Sequence, residues 1–183
     1  DYIADGVNDE VEINAAIAAA FTSDTSATST RGGLVQLLEG NYYVSTSTSN
    51  GDAIVMATST SLVGAGNGTI IHMASSTSST GNFHAISARN IESVGVANLR
   101  IEGNKNNIAT TPALTAGIYF SNVASSSIEN VTVASVGATG GVGGGNGISL
   151  NSSSHNIISN STIYDVESSL GGTGISLNSS SEY

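Results

Sequence analysis

Gly117-Ile118-Tyr119-Phe120-Ser121-Asn122, Gly147-Ile148-Ser149-Leu150-Asn151-Ser152 and Gly174-Ile175-Ser176-Leu177-Asn178-Ser179 are three versions of one phrase. They begin 30 and 27 residues apart, and Leu150–Ser154 recurs verbatim as Leu177–Ser181. A second phrase lies between them: Val96-Ala97-Asn98-Leu99-Arg100-Ile101, Ile128-Glu129-Asn130-Val131-Thr132-Val133 and Ile158-Ser159-Asn160-Ser161-Thr162-Ile163, offset by 32 and 30. Two independent motifs that keep nearly one period, in fixed order, mark a repeat architecture. Each repeat holds runs of about 4–6 residues with apolar alternation, separated by Ser, Asn and Gly turns. One such unit cannot bury its apolar face alone. Equivalent strands must stack about 4.8 Å apart as parallel ladders over a continuous Ile, Leu and Val core. The expected fold is a parallel β-helix, with Ile118, Ile148 and Ile175 in one row. Asn98, Asn130 and Asn160 then stack as an asparagine ladder, and small Ser and Gly residues turn the corners. A β-sandwich also has short alternating strands, but it does not demand position-specific repetition.

The composition agrees and narrows the function. Ser, Thr, Asn and Gly make up about half of the 183 residues, yet 39% are hydrophobic and a single Pro, Pro112, is present. That is a chain of strands and turns rather than a disordered tract. There is no Cys, hence no disulfide, thiolate zinc site, iron–sulfur cluster or cysteine nucleophile. Four Lys and Arg against fourteen Asp and Glu give a net charge of −10. Such a surface repels nucleic acid and anionic membrane, and no apolar run is long enough for a transmembrane helix. The chain starts without an initiator Met or a signal peptide, as a processed or excised N-terminus does.

The first segment reads differently. Ile13, Ala16, Ile17, Ala20 and Phe21 recur at helical spacing. Asn8 or Asp9 can cap the first turn, and Asp9, Glu10 and Glu12 complement the positive end of the dipole. A capped helix over 9–21 explains these carboxylates better than a metal site does. It stands where a solenoid needs cover for its first coil. Residues 1–33 are accordingly expected to form the cap helix and its loop, and 34–183 the coils. Ser181-Glu182-Tyr183 falls mid-coil. The expectation is a helix truncated at that end, or one whose end is supplied by another molecule.

At this point a resemblance becomes specific. Asp5-Gly6-Val7-Asn8-Asp9-Glu10-Val11-Glu12-Ile13-Asn14-Ala15-Ala16-Ile17, then Gly32-Gly33-Leu34-Val35-Gln36-Leu37-Leu38-Glu39-Gly40-Asn41-Tyr42-Tyr43-Val44, resembles the opening of the right-handed β-helix (pectate-lyase-like) superfamily. There an acidic stretch precedes a capping helix and a G-G-x-V-x-L-x-x-G-x-Y strand pair. Leu62–Ile71 is similar to the next coil, and Asn98-Leu99-Arg100-Ile101-Glu102-Gly103-Asn104 to the N-L-x-I-D-G-N turn, with Glu102 in place of Asp. The resemblance covers residues 1–105; repeat character alone supports the remainder. It implies an all-β, right-handed single-stranded parallel β-helix with an N-terminal capping α-helix. It also implies a bias toward acidic or complex polysaccharides, as in the pectate lyases, epimerases and phage tailspikes of that superfamily, but no particular reaction.

The chemistry-bearing residues are few. Glu102 shares a repeat column with Ala134 and Tyr164, and Asp165 follows one position on, which sets the two carboxylates roughly 10 Å apart over two coils. That is the upper limit for an inverting glycosidase pair, and scattered solvated carboxylates are the plainer reading. Elimination chemistry needs a base, and the candidates are Arg31, Arg89, Arg100, Lys105, His72, His84, His155 and the tyrosines. Arg100 and Glu102 alternate with inward Leu99 and Ile101, so both should point outward, with Lys105 just past the turn. Arg100, Glu102, Lys105, Tyr164 and Asp165 are the candidate glycan-binding residues, against a plain surface ion pair. Tyr119 and Tyr164 are the outward aromatics of the repeats, and Phe120 fills the core. No D-x-D or D-x-x-D string occurs in the coils, so no metal site or cofactor is assigned, calcium included. Residues 136–147 lack the Lys and following helix of a phosphate loop and read as a flexible corner loop. The N-x-S/T sequons at Asn67, Asn130, Asn151, Asn160 and Asn178 are what an Asn- and Ser-rich chain contains by chance.

Three functions fit: a module directed at polysaccharide, binding it while any modification resides elsewhere; a complete lyase or depolymerase; and a non-catalytic stalk or filament solenoid. The expected partner is a polysaccharide or cell-surface glycan, with self-association end to end or as a trimer. Nucleic acid and membrane insertion are not expected. The expected location is extracellular, on a cell or a virion surface.

Overall fold

The computed structural model describes residues 2–22, 32–74, 81–108, 114–138, 144–168 and 171–179. A helix over Glu10–Thr22 (α1) is followed by short strands that pair only in parallel register. The chain winds as a β-solenoid. One five-stranded sheet joins Asp52–Val55, Phe83–Glu92, Leu114–Ala124, Gly144–Asn151 and Gly172–Asn178 in sequence order. The other main sheet begins with Leu34–Gln36 and Gly40–Val44. It passes through Ser61–Val63 and Thr69–Met73 to Gly95–Glu102 and Ser127–Ala134, and ends at Ile157–Ser159 and Thr162–Tyr164.

The register piles like on like. Ile54, Ile86, Ile118, Ile148 and Ile175 form one row, and Ala88, Phe120, Leu150 and Leu177 the row beside it. Leu62, Val96 and Ile128 form another across the core, as do Leu99 and Val131. Phe83, Phe120, Ile54, Ile86, Ile101 and Ile118 are fully buried. Small residues precede the isoleucine row because the two sheets close on each other there. A Cβ on Gly117 would lie 2.5 Å from Val133 Cγ1, and one on Gly147 2.3 Å from Ile163 Cγ2.

The corners are turned by the expected serines and glycines and also by Asn, His155 and Asp165, polar residues in the left-handed conformation. Ser59, Ser93, Ser125 and His155 occupy one such column, with φ of 57°, 59°, 53° and 54°. The Ser59, Ser93 and Ser125 amides each donate to a carbonyl of the next coil at 3.0–3.1 Å. Asn98, Asn130 and Asn160 share φ near 50–55°, and Asn130 Nδ2 donates to Asn98 Oδ1 at 2.8 Å. Asn122 and Asn90 repeat the device at 3.0 Å on another edge. Asparagine tolerates this backbone region and its amide links coils, so one residue serves both needs.

Helix α1 does more than cover the first coil; its side chains complete the open strand edges. Asn14 donates Nδ2 to Ala53 O at 2.9 Å and accepts from Val55 N at 2.8 Å, as a neighbouring peptide would. Asp9 Oδ2 accepts from Tyr43 N at 2.7 Å, and Glu10 Oε2 from Ser45 N at 2.9 Å. The acidic residues read as dipole complements therefore include two, Asp9 and Glu10, buried as edge acceptors. Two other expectations are corrected. The stretch 136–147 is not all loop: Gly137–Ala138 pairs with Glu167–Ser168, and Gly144–Gly147 belongs to a strand paired on both sides, while 139–143 lie outside the described residues. Tyr119 is not an outward platform, being only 8% exposed.

Candidate functional site

Among the described residues, two clusters of chemistry-bearing side chains stand on the strands of the solenoid. The first follows a column on the larger sheet. Tyr43 pairs with His72, His72 with Glu102, Glu102 with Ala134 and Ala134 with Tyr164. Beside it run Asn41, Ile70, Arg100, Thr132 and Thr162. Tyr43 and Tyr164, each 45% exposed, bracket the column. Four rungs of about 4.8 Å put them about 19 Å apart. A groove of about 800 Å³ opens here, lined by Tyr43, His72, Arg100, Glu102, Asn104 and Lys105 among others.

All five sequence candidates come together here. Arg100 is ion-paired with Glu102, through Nε at 2.6 Å, and its Nη2 donates to Tyr164 OH at 3.0 Å. Lys105 reaches across two coils to Asp165 Oδ1 at 2.5 Å and Glu167 Oε2 at 2.7 Å. The two carboxylates raise the affinity of Lys105 for its proton, and Lys105 and Ser135 hold Asp165 below its ordinary value. Ser135 Oγ donates to Asp165 Oδ2 at 2.9 Å. The expected alternation is met, with Leu99 and Ile101 buried and Arg100 and Glu102 partly exposed. His72 was not among the five, and it supplies the aromatic floor. Its ring stacks on Tyr43 at 4.9 Å, and Nε2 lies 2.8 Å from Asn41 Oδ1. Burial, aided by Arg100 and opposed by Glu102, pushes its pKa below the usual value, so the ring is neutral at pH 7. Because Asn41 Oδ1 only accepts, Nε2 carries the proton and Nδ1 is left as an acceptor.

The second cluster lies on the five-stranded sheet, and the sequence reading missed it. His84 Nδ1 donates to Asp52 Oδ1 at 2.8 Å, and Arg89 grips the same carboxylate with Nε and Nη2, both at 2.9 Å. Tyr119 stacks on His84 at 4.3 Å and lies under the Arg89 guanidinium at 4.6 Å. Asn151 Nδ2 approaches Tyr119 OH at 3.4 Å. The group spans four successive strands. Burial alone would raise Asp52, but the hydrogen bonds from His84 and Arg89 outweigh it and hold the carboxyl far below the usual range. Burial pushes His84 down despite Asp52. Burial would likewise raise Tyr119, yet hydrogen bonds with Asn151 and Ser121, together with Arg89, bring it lower. A base held by a carboxylate has the form of a catalytic pair. Here the His84 side chain is 0% exposed and that of Asp52 3%, and His84 Nε2 is buried without a partner among the described residues. No substrate atom can reach that nitrogen in this arrangement, so the cluster acts as a polar staple between coils. The available signal was Ala53-Ile54 and Ala85-Ile86, which extend the Gly-Ile phrase backward with Ala for Gly at a spacing of 32 and place Asp52 and His84 in one column.

No family model and no curated protein matches the chain. Solved structures do. The A-module of mannuronan C-5 epimerase AlgE4 from Azotobacter vinelandii is similar over 99% of this chain and 49% of its own length, at 20% identity and a TM-score of 0.56. The AlgE6 A-module of the same organism is similar over 95% of this chain and 56% of its own, at 18% identity and a TM-score of 0.53. The catalytic domain of a GH87 α-1,3-glucanase in complex with nigerose is similar over 92% and 30%, at 16% identity and a TM-score of 0.52. The chain thus spans about half the length of the epimerase modules. Identities of 20% or less carry backbone geometry and not the chemistry of a site. The chain shares its parallel β-helix fold with all three.

Proposed function

We propose that this chain is a polysaccharide-directed β-helix module that holds a glycan along the Tyr43–Tyr164 column. The observation that carries the reading is the column itself: two exposed tyrosines about 19 Å apart, with a groove that runs from Tyr43 past Arg100, Glu102 and Lys105 to Ser135 and whose polar side chains are already fixed in hydrogen bonds and ion pairs. Apolar faces of sugar rings pack on exposed aromatic rings, and hydroxyls need donors and acceptors that do not have to be ordered on binding. Arg100, Glu102, Lys105 and Asp165 take the hydroxyl-binding role, and Tyr164 and Tyr43, the latter stacked on His72, the stacking role. The neighbouring folds act on mannuronan or bind nigerose, which supports a carbohydrate ligand. Binding is preferred to catalysis because Glu102 and Asp165 are each tied to a cation. The Ser- and Thr-rich, Lys-poor composition favours work outside the cell, on a cell or virion surface.

Titration calorimetry against a panel of soluble polysaccharides tests this. At least one should bind saturably, and Tyr43→Ala and Tyr164→Ala should each weaken it about tenfold, the upper range for one aromatic contact. A bound glycan indifferent to both substitutions would remove this face from consideration.

A further inference from the structure

We infer that the Tyr43–Tyr164 face selects an uncharged polysaccharide and discriminates against polyuronates; this rests on the glycan-binding reading above and names its ligand class. Recognition of a polyuronate, with one carboxylate on each sugar, needs cations free to meet it. This face has none to offer among the described residues. Arg100 is committed to Glu102, and Lys105 to Asp165 and Glu167. Those two cations stand against three carboxylates, so the cluster is locally negative. His72, neutral at pH 7, adds no charge. The third described cation, Arg89, is held two-pronged by Asp52 on the other sheet. Around the cluster the chain carries a net charge of −10, and repulsion of a polyanion reaches over a Debye length of about 8 Å at physiological salt.

An uncharged chain meets the opposite situation. The ion pairs hold their side chains in place, so their remaining lone pairs and N–H groups face hydroxyls without prior reorganisation. Thr132, Thr162, Asn104 and Ser135 line or flank the same face as neutral donors and acceptors. Nothing in that set needs a charged partner.

The decisive experiment measures binding of the native chain to soluble linear glucans, mannans and galactans. Polygalacturonate and polymannuronate of matched length serve as the charged probes, at low and physiological salt, with and without calcium. The inference expects a neutral glycan to bind saturably with an affinity that changes less than about twofold with salt, since no counterions are released. Polyuronates should bind at least about tenfold more weakly. It further expects that Glu102→Gln combined with Asp165→Asn and Glu167→Gln, which release Arg100 and Lys105, brings in salt-sensitive polyuronate binding. Tighter binding of a polyuronate by the native chain, calcium-assisted or not, would overturn the selectivity and leave glycan binding standing. Failure of every glycan would overturn the glycan-binding reading and the selectivity with it.

Discussion

Gly103 turns a corner where no side chain fits. A Cβ there would sit 2.5 Å from Val136 Cα and 2.6 Å from Ser135 O, and both are backbone atoms that cannot swing aside. Gly103→Ala should therefore cost about 1–3 kcal/mol in a urea unfolding experiment. Gly81→Ala, with nothing within 4 Å among the described residues, should stay within about 0.5 kcal/mol; equal midpoints for the two would contradict this packing. Asp52 tests the opposite case, a side chain that others depend on. Asp52→Ala leaves the Arg89 guanidinium and the sealed His84 ring without their carboxylate. Loss of one partner of a buried pair costs about 3–5 kcal/mol, and the low end applies because the Arg89 side chain keeps 26% exposure to water. An unchanged denaturation midpoint would show that the cluster does not staple the coils. Corner glycines and ion-pair partners differ in how well the sequence announces them. Gly103 stands inside a recognisable turn phrase, whereas Asp52 and His84 lie 32 residues apart and are aligned only by the Ala-Ile pair that follows each, a degenerate form of the Gly-Ile phrase.

Helix α1 shows what a periodic pattern can and cannot reveal. Its apolar spacing was legible, and Ile13 and Ile17 are buried as that spacing requires. Its polar face was misjudged, because Asp9 and Glu10 look like ordinary first-turn carboxylates until the first coil's edge is in place. The free N–H groups of Tyr43 and Ser45 exist only in the folded solenoid, so their acceptors could not be inferred from the helix alone. Asn14 makes the cleanest probe. Asn14→Leu keeps a helix-forming residue of similar size but abandons Ala53 O and Val55 N. Two backbone groups without partners cost about 1–3 kcal/mol each, so the variant should unfold at markedly lower denaturant. Asn14→Asp keeps the acceptor for Val55 N and loses the donor to Ala53 O, and should fall between the two. A native-like Asn14→Leu would mean that the helix merely covers the coil without completing its edge.

Across the whole molecule, the stacking that was legible from LNSSS and the isoleucine row also concentrates the buried ionisation. Asp52, His84, Arg89 and Tyr119 come from three successive coils and face one another on one sheet. Their shifts give stability a definite dependence on pH. His84 binds its proton more weakly in the fold than at the ordinary value of 6.5. As pH falls below 6.5 the unfolded chain gains a proton that the folded chain refuses, so stability falls with it. Above 6.5 both states are neutral at this ring and the contribution levels off. Asp52 adds a second step in the same direction. Its folded carboxyl ionises well below the ordinary 3.8, so its contribution is intact above that value and is lost as pH drops through it toward the folded value. Acidification should therefore lower the thermal midpoint first between pH 7 and 5, and again below pH 4, with little change between pH 7 and 9. His84→Gln, which cannot titrate, should flatten the first step and spare the second. The two steps can be separated from general charge effects by salt. Repulsion within a chain of net charge −10 weakens as its carboxylates are neutralised, which would raise stability on acidification, and salt screens it. The step from the sealed His84 is screened far less. A midpoint that rises between pH 7 and 5, or an acid loss unchanged in His84→Gln, would show that surface charge and not the buried staple governs the stability of the coils.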